Sequence, residues 1–189
     1  MLHRANPPGL VHSAVITLLT LACTTFAIAD TSTTTEAKIE AAYLRHLASY
    51  VRWPGGKQKD ITLCILGQDP FGTFLDEMIE AKPLTRDGTP ILIRRMRLEQ
   101  DNGKCDIAFV SANSINRTFW QTLPQRRPVL LVSDHPEFTQ RGGMVRFYPE
   151  NNHIRIEIHL GNVKAAGLNI SSELLKLATL TDAGSGEAQ

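Results

Sequence analysis

The hydrophobic residues of this chain recur with two spacings, which alternate along the sequence. In residues 36–53 (EAKIEAAYLRHLASYVRW) they stand four apart, at Ile39, Tyr43, Leu47 and Val51. That spacing predicts an amphipathic helix, which should end before Pro54 because the residue preceding a proline avoids helical geometry. Short apolar runs follow, and their length and composition predict buried strands at residues 61–66, 89–96, 105–111 and 128–133.

Helices and a hairpin separate and follow these runs. One helix is predicted from Pro70 to Ala81 with Asp69 as its N-cap, and another from Asn113 to Leu123. Residues 142–160 (GGMVRFYPENNHIRIEIHL) alternate apolar and polar side chains around Asn151-Asn152, which predicts an antiparallel hairpin. Helical patterns then return, first in NVKAAG and then from residues 169–172 through ELLKLATL.

Together these elements indicate a fold class. Short apolar strands separated by helices are typical of a mostly parallel sheet with helices on both faces, since parallel strands need a crossover connection. We therefore predict a single α/β domain, with a mostly parallel sheet flanked by helices and an antiparallel C-terminal hairpin. No internal repeat or domain linker interrupts residues 36–180.

The first thirty residues differ from the rest. Arg4 is the only charged residue before Asp30, and the run from Ser13 to Ala29 is mostly apolar with a small-x-small end. This pattern predicts a cleaved signal peptide over residues 1–29 and a periplasmic protein. The alternatives are a retained anchor, for which the run is short, and a lipoprotein site at Cys23, past which the run continues. Residues 30–36 are expected to form a linker and residues 181–189 a flexible tail.

Charge excludes one class of partner. Removing residues 1–29 takes one arginine from the 20 Lys+Arg and none of the 19 Asp+Glu, so the formal net charge becomes zero. No basic block stands out, and a nucleic-acid surface is therefore not expected. A remainder of about 160 residues suits one domain with one core.

Cys64 and Cys105 are the two cysteines left after the signal peptide. An even count in an exported chain indicates a disulfide, and the strands that carry the two residues are neighbours if the first lies centrally in the sheet. Two buried free thiols are the alternative.

Gly67 and Gly72 have the spacing of a phosphate-binding loop between a strand and a helix. In such a loop a lysine and then a hydroxyl residue follow the second glycine, whereas here Gly72 precedes Thr73 and Phe74. Pro70 also removes a backbone N–H donor. We interpret residues 67–72 as a structural turn.

Other catalytic patterns are equally incomplete. Ser133, Asp134 and His135 are hydrolase residue types, but consecutive side chains rarely form both hydrogen bonds of a triad. The histidines after residue 29 have no second ligand at metal-binding spacing; they are His46, His135, His153 and His159. The sequence thus predicts no catalytic residue, no metal and no cofactor, and a binding or regulatory protein rather than an enzyme.

Six segments, in order, resemble the YfiR family of periplasmic regulators. They are AAYLRHLASYVRWP, LCILGQDPFG, GKCDIAFVS, PVLLVSD, FTQRGGMVRF and HIRIEIHLGNVKAAGLNISSELLKLA. Each block alone is weakly specific, but six in order predict that residues 37–180 form a YfiR-like domain.

The resemblance implies a periplasmic protein that binds and represses the periplasmic sensory domain of an inner-membrane diguanylate cyclase. Repression lowers cyclic-di-GMP and biofilm formation. The resemblance also implies a homodimer, a sequestering outer-membrane lipoprotein partner, and a disulfide matching Cys64 and Cys105. A second cysteine pair near the late hairpin of some relatives is absent here, where Met144 and Val145 stand, so redox control through it is not expected.

Two alternatives stay open. One is a periplasmic sensor without a cyclase partner, which binds a small molecule in the crevice at the strand ends near residues 67–71 and 111–113. The other is an enzyme whose site follows no recognised motif. For a repressor, we expect the contact surface in the C-terminal part, with Phe147 and Leu168 as exposed candidates. The core is expected to take three nearby leucines: Leu174, Leu175 and Leu177.

Overall fold

The computed structural model describes residues 30–98, 105–116 and 128–181, with side chains from residue 35 onward. Its helices are α1 (Asp30–Tyr50), α2 (Phe74–Ala81), α3 (Leu160–Ala165) and α4 (Ser172–Leu175). Its strands are β1 (Val51–Arg52), β2 (Ile61–Leu66), β3 (Ile91–Met96), β4 (Ile107–Val110), β5 (Leu130–Ser133), β6 (Val145–Glu150), β7 (His153–His159), β8 (Asn169–Ile170) and β9 (Thr179–Thr181).

Seven strands form one sheet in the order β3-β2-β4-β5-β6-β7-β9. Neighbours are parallel except β6 and β7, which form the antiparallel hairpin. Strands β2, β4 and β5 are buried along their whole length, as expected for parallel strands covered on both faces. The predicted fold class is confirmed, and Cys64 lies in the strand next to the one that follows Cys105.

Helix α1 covers the hairpin end of the sheet. Its buried side chains include Leu44 and Leu47, and the Tyr43 ring packs at 5.8 Å, centroid to centroid, from the ring of Phe147 in β6. The Tyr43 hydroxyl also donates to the Ile154 carbonyl oxygen of β7 at 3.2 Å. Tyr43, one of the periodic apolar residues of the helix, therefore packs against the hairpin.

The hairpin turn has the backbone geometry that its sequence predicts. Asn151 and Asn152 have φ angles of 50° and 63°, in the left-handed region. Two such residues in a two-residue loop give the backbone twist that matches twisted antiparallel strands, and asparagine tolerates this region better than most residues.

Several element boundaries differ from the prediction. Helix α1 begins at Asp30, so residues predicted as a linker are helical. Helix α2 begins at Phe74 after Thr73 rather than at Pro70. Asp69 does not cap the helix because its Oδ1 accepts from the nearby Phe71 N at 2.8 Å. Of the helix predicted from Asn113, only residues 113–116 are described, and Ala112–Ser114 form a single 3-10 turn.

The C-terminal segment is less helical than predicted. Asn169–Ile170 pair with β1, Ser172–Leu175 form one short helix, and Thr179–Thr181 add a parallel strand beside β7. Strand β9 is thus the last strand at one side of the sheet, while β3 is last at the other. None of the helices in the described part of the chain is long and apolar enough to cross a membrane.

Candidate functional site

The loop after β2 lies where a parallel sheet would accept a phosphate, but a side chain fills it. Gly67 has a φ of 82°, and a Cβ at this position would lie 2.4 Å from Ser114 Oγ. That hydroxyl accepts a hydrogen bond from Gln68 N at 2.7 Å. The glycine is therefore needed for close approach of Ser114, not for a bound anion.

Arg95 of β3 holds the same loop from the other side. Its Nε donates to Asp69 Oδ2 at 2.6 Å, its Nη1 to Asp76 Oδ1 at 2.9 Å, and its Nη2 to the Gly72 carbonyl oxygen at 2.9 Å. The Arg95 hydrogen bond is the main cause that lowers the pKa of Asp76. Two carboxylates around one guanidinium repel an anionic ligand, so residues 67–72 form a structural turn, as predicted.

An open cleft of about 630 Å³ adjoins this loop at the carboxyl ends of the strands. It includes Gly67, Arg95, Arg97 and Ser114. This is the crevice in which a small-molecule sensor was expected to bind. The guanidinium of Arg95, which lines this cleft, is already bonded to Asp69 and Asp76.

Ser133, Asp134 and His135 make local hydrogen bonds instead of a triad. Ser133 Oγ donates to the Val110 carbonyl oxygen at 2.6 Å and accepts from His135 N at 3.0 Å. Asp134 Oδ1 accepts from Ala112 N at 2.6 Å, and His135 Nδ1 accepts from Glu137 N at 3.2 Å. These contacts join β5 to the end of β4 and orient no nucleophile toward a base.

Glu40 is a buried acid on α1 that sequence analysis did not single out. It is 7% exposed. Burial, and then the charges of Asp134 and Glu36, raise the pKa of Glu40 to about 8. Burial also raises the pKa of Asp134. The helical period does not predict the burial of Glu40, because this residue lies beside the predicted apolar stripe and not within it.

The histidines serve local structure. His159 Nδ1 accepts from Asn162 N at 3.1 Å and so caps α3, and His153 Nδ1 bonds to the Asn151 carbonyl oxygen at 2.8 Å. Burial, aided by Arg45, Lys82 and Arg86, lowers the pKa of His46. Among the described residues, no group of three or more histidine, cysteine, aspartate or glutamate side chains is placed to hold a metal ion.

Cys64 and Cys105 form a disulfide, as the sequence indicated. Their Cα atoms lie 5.7 Å apart, within the usual range for such bridges, and both residues are buried. The bond joins β2 to the segment that leads into β4 and closes a sequence separation of 41 residues. It therefore ties together the centre of the sheet.

The two expected partner-binding side chains are not exposed. Phe147 is fully buried because it faces α1 from β6, and Leu168 is 3% exposed. Leu168 is drawn inward because its N donates to the Val163 carbonyl oxygen and the next residues pair with β1. The expectation that Phe147 and Leu168 are exposed is wrong in this structure.

Exposed leucines lie nearby instead. Leu177 is 78% exposed and Leu180 45%, whereas Leu174 is buried and Leu175 half-buried. We call Leu177 and Leu180 the terminal leucine pair. The sequence pattern predicts Leu177 in the core face of a continuous helix, but the helix ends after one turn and β9 follows. Residues 179–181 (TLT) are too few to show the alternation that would predict this strand.

The fold and its polar sites define a small α/β protein whose recognisable chemical motifs all serve structure. The family model described as YfiR/HmsC-like matches residues 37–179, and the chain belongs to this family. Membership supports regulation of a diguanylate cyclase, rather than catalysis, at the level of the family. Comparison with curated proteins gives no significant match.

Proposed function

We propose that this protein is a periplasmic repressor that binds the periplasmic sensory domain of an inner-membrane diguanylate cyclase. In the bound state the cyclase is inactive, so cyclic-di-GMP and biofilm formation stay low. The observation that carries the proposal is the match to the YfiR/HmsC-like family across residues 37–179. Repression of this kind needs a surface with different affinity for two states of the partner, and no catalytic group.

The terminal leucine pair is the proposed contact surface. Leu177 follows α4 and Leu180 lies in β9, the final strand at its side of the sheet. These two large apolar side chains are three residues apart, and one of them is 78% exposed. Covering them with a partner removes apolar surface from water, which stabilises the complex. Burial of one leucine stabilises a complex by about 1.5–3 kcal/mol. Loss of either side chain should therefore weaken partner binding measurably.

A charged substitution at each leucine tests this surface. In a strain that lacks the gene, cyclic-di-GMP should rise, and expression of the unaltered chain should lower it again. Leu177→Asp and Leu180→Asp should fail to lower it, and should bind the purified sensory domain about tenfold more weakly or worse. Thermal unfolding should stay near that of the unaltered protein because both side chains are exposed.

Leu92→Asp is the matched control. Leu92 is 46% exposed, like Leu180, but lies in β3 at the opposite side of the sheet. It should repress normally. If all three variants repress equally well, the terminal leucine pair is not the contact surface. If deletion of the gene leaves cyclic-di-GMP unchanged in a strain with the cognate cyclase, the repressor function itself is wrong.

Two further partners belong to the proposal. A homodimer is expected, and light scattering of the purified mature chain measures it. An outer-membrane lipoprotein is expected to sequester the repressor and release the cyclase. Deletion of that lipoprotein should lower cyclic-di-GMP only in cells that retain the repressor.

A further inference from the structure

A second cavity, of about 230 Å³, lies between the end of α1, the loop after β1 and the turn at residues 85–89. Its inner wall is apolar, with buried side chains of Ala48, Val51 and Ile61. Its rim is polar and includes Arg52 and Lys57. An apolar wall with a few polar groups is typical of small-ligand sites, and neither the disulfide nor the terminal leucine pair lies here.

Trp53 lines this cavity and carries a polar group without a partner. The residue is 8% exposed, and within the described part of the chain its indole Nε1 has no hydrogen-bond partner. Folded proteins bond nearly all buried N–H groups, since leaving one unsatisfied is destabilising. An indole N–H only donates, so the missing group is an acceptor.

Two acceptor oxygens of Asp87 at the cavity are already engaged. Asp87 Oδ1 accepts from Thr85 Oγ1 at 2.5 Å and from Thr89 Oγ1 at 3.4 Å. The Asp87 carbonyl oxygen accepts from Lys57 Nζ at 2.9 Å, which leaves two ammonium hydrogens of Lys57. The cavity thus combines one occupied carboxylate with two cations, Arg52 and Lys57. Its unused groups include the Trp53 N–H and two Lys57 hydrogens, and its two cations outnumber its one carboxylate.

We propose that this cavity binds a small organic carboxylate with an apolar body. The apolar body lies against the wall of Ala48, Val51 and Ile61, and the carboxylate accepts from the Trp53 indole N–H and pairs with Lys57. At about 30 Å³ per water molecule, the cavity has room for roughly eight waters, which suits an acid of one ring. This site does not require the cyclase partner, so the isolated chain should bind the acid.

Benzoate is the probe for this site, and benzamide is its neutral match of the same shape. Calorimetric titration of the oxidised mature chain should give saturable binding of benzoate below about 10 mM, and binding of benzamide about tenfold weaker or undetectable. No saturable binding of benzoate would overturn the proposal. Equal affinity for the two probes would also overturn it, because the charge would then have no role.

Substitutions locate the binding. Trp53→Phe keeps an aromatic ring but removes the N–H, and should weaken benzoate binding about tenfold. Lys57→Gln, at an exposed position that does not threaten folding, should have a similar effect. Lys59→Gln, an exposed lysine that does not line the cavity, should leave binding unchanged. Unchanged affinity in Lys57→Gln, or equal loss in Lys59→Gln, would contradict the assignment.

Discussion

At the scale of single residues, one buried acid makes the free energy of unfolding depend on pH. Glu40 is buried on α1 near Asp134, and its pKa is raised to about 8, first by burial and then by Asp134 and Glu36. In the unfolded chain a glutamate has a pKa near 4.5. The folded state therefore holds a proton that the unfolded state releases between about pH 4.5 and 8, so the stabilising effect is fully present below pH 4.5 and is lost as pH rises.

Glu40→Gln should remove this pH dependence. Glutamine resembles the protonated acid, so the variant should match the unaltered protein near pH 4.5 and exceed its stability above pH 8. The gain at high pH is on the order of 5 kcal/mol, from the displacement of the pKa. Urea unfolding at a series of pH values measures the difference. A constant difference across pH 4.5–9 would show that Glu40 is not protonated in the folded state.

Asp134→Asn is the companion variant. It removes the neighbouring charge and keeps an oxygen for the Ala112 N–H. The pKa of Glu40 in the folded state should then be less raised. The fall in stability should still begin near pH 4.5 but should end at a lower pH and be smaller in total.

The disulfide gives a second prediction for single residues. Replacing Cys64 and Cys105 together by alanine should lower the free energy of unfolding by about 4 kcal/mol in the chain-entropy model for a loop of this length. Chemical unfolding of the oxidised protein and the double variant measures the loss. Reduction of the unaltered protein should also lower its free energy of unfolding. No change on reduction would contradict the structural role of the disulfide.

Elements divide into those that carry a pattern and those that do not. The buried strands could be predicted because each is an apolar run of four to six residues, and the hairpin because its strands alternate around Asn151-Asn152. Strands of two or three residues, β1, β8 and β9, are too short for a period and form only because distant segments pair with them. Because the sequence pattern does not predict these short strands, it places Leu177 in a continuous helix.

The hairpin turn itself can be tested. Asn152 has a φ of 63°, so Asn152→Ala should destabilise the protein by about 1 kcal/mol, while Asn152→Gly should be neutral or stabilising. Asn169→Ala is the control, because Asn169 is exposed in β8 and has no positive φ. Thermal unfolding compares the three variants, and an equal cost for both alanine substitutions would show that the left-handed turn is not responsible.

At the scale of the whole molecule, the sequence predicts chemistry better than exposure. The incomplete phosphate loop and the neighbouring Ser133-Asp134-His135 could be recognised as structural, because catalysis requires specific residues at specific spacings. Exposure depends on which element covers a face. Phe147 is buried by α1, which precedes it by about one hundred residues, and no local pattern contains that contact. The Trp53 cavity escaped prediction for the same reason, since three separate segments form it.

Export should determine whether the Cys64–Cys105 disulfide forms and whether the protein represses the cyclase. A chain without residues 2–29 should stay in the cytoplasm, where thiols are kept reduced, so Cys64 and Cys105 should both be alkylated after rapid quenching. Such a chain cannot meet a periplasmic sensory domain, and in a strain that lacks the gene it should leave cyclic-di-GMP high. Fusing residues 30–189 to an unrelated secretion signal should restore both the bridge and repression, which separates location from any other role of the leader. In the full-length protein, intact mass should show a mature N-terminus at Asp30. Repression by the leaderless chain would overturn the periplasmic assignment, and a full-length or lipid-modified chain in membranes would overturn the cleavage.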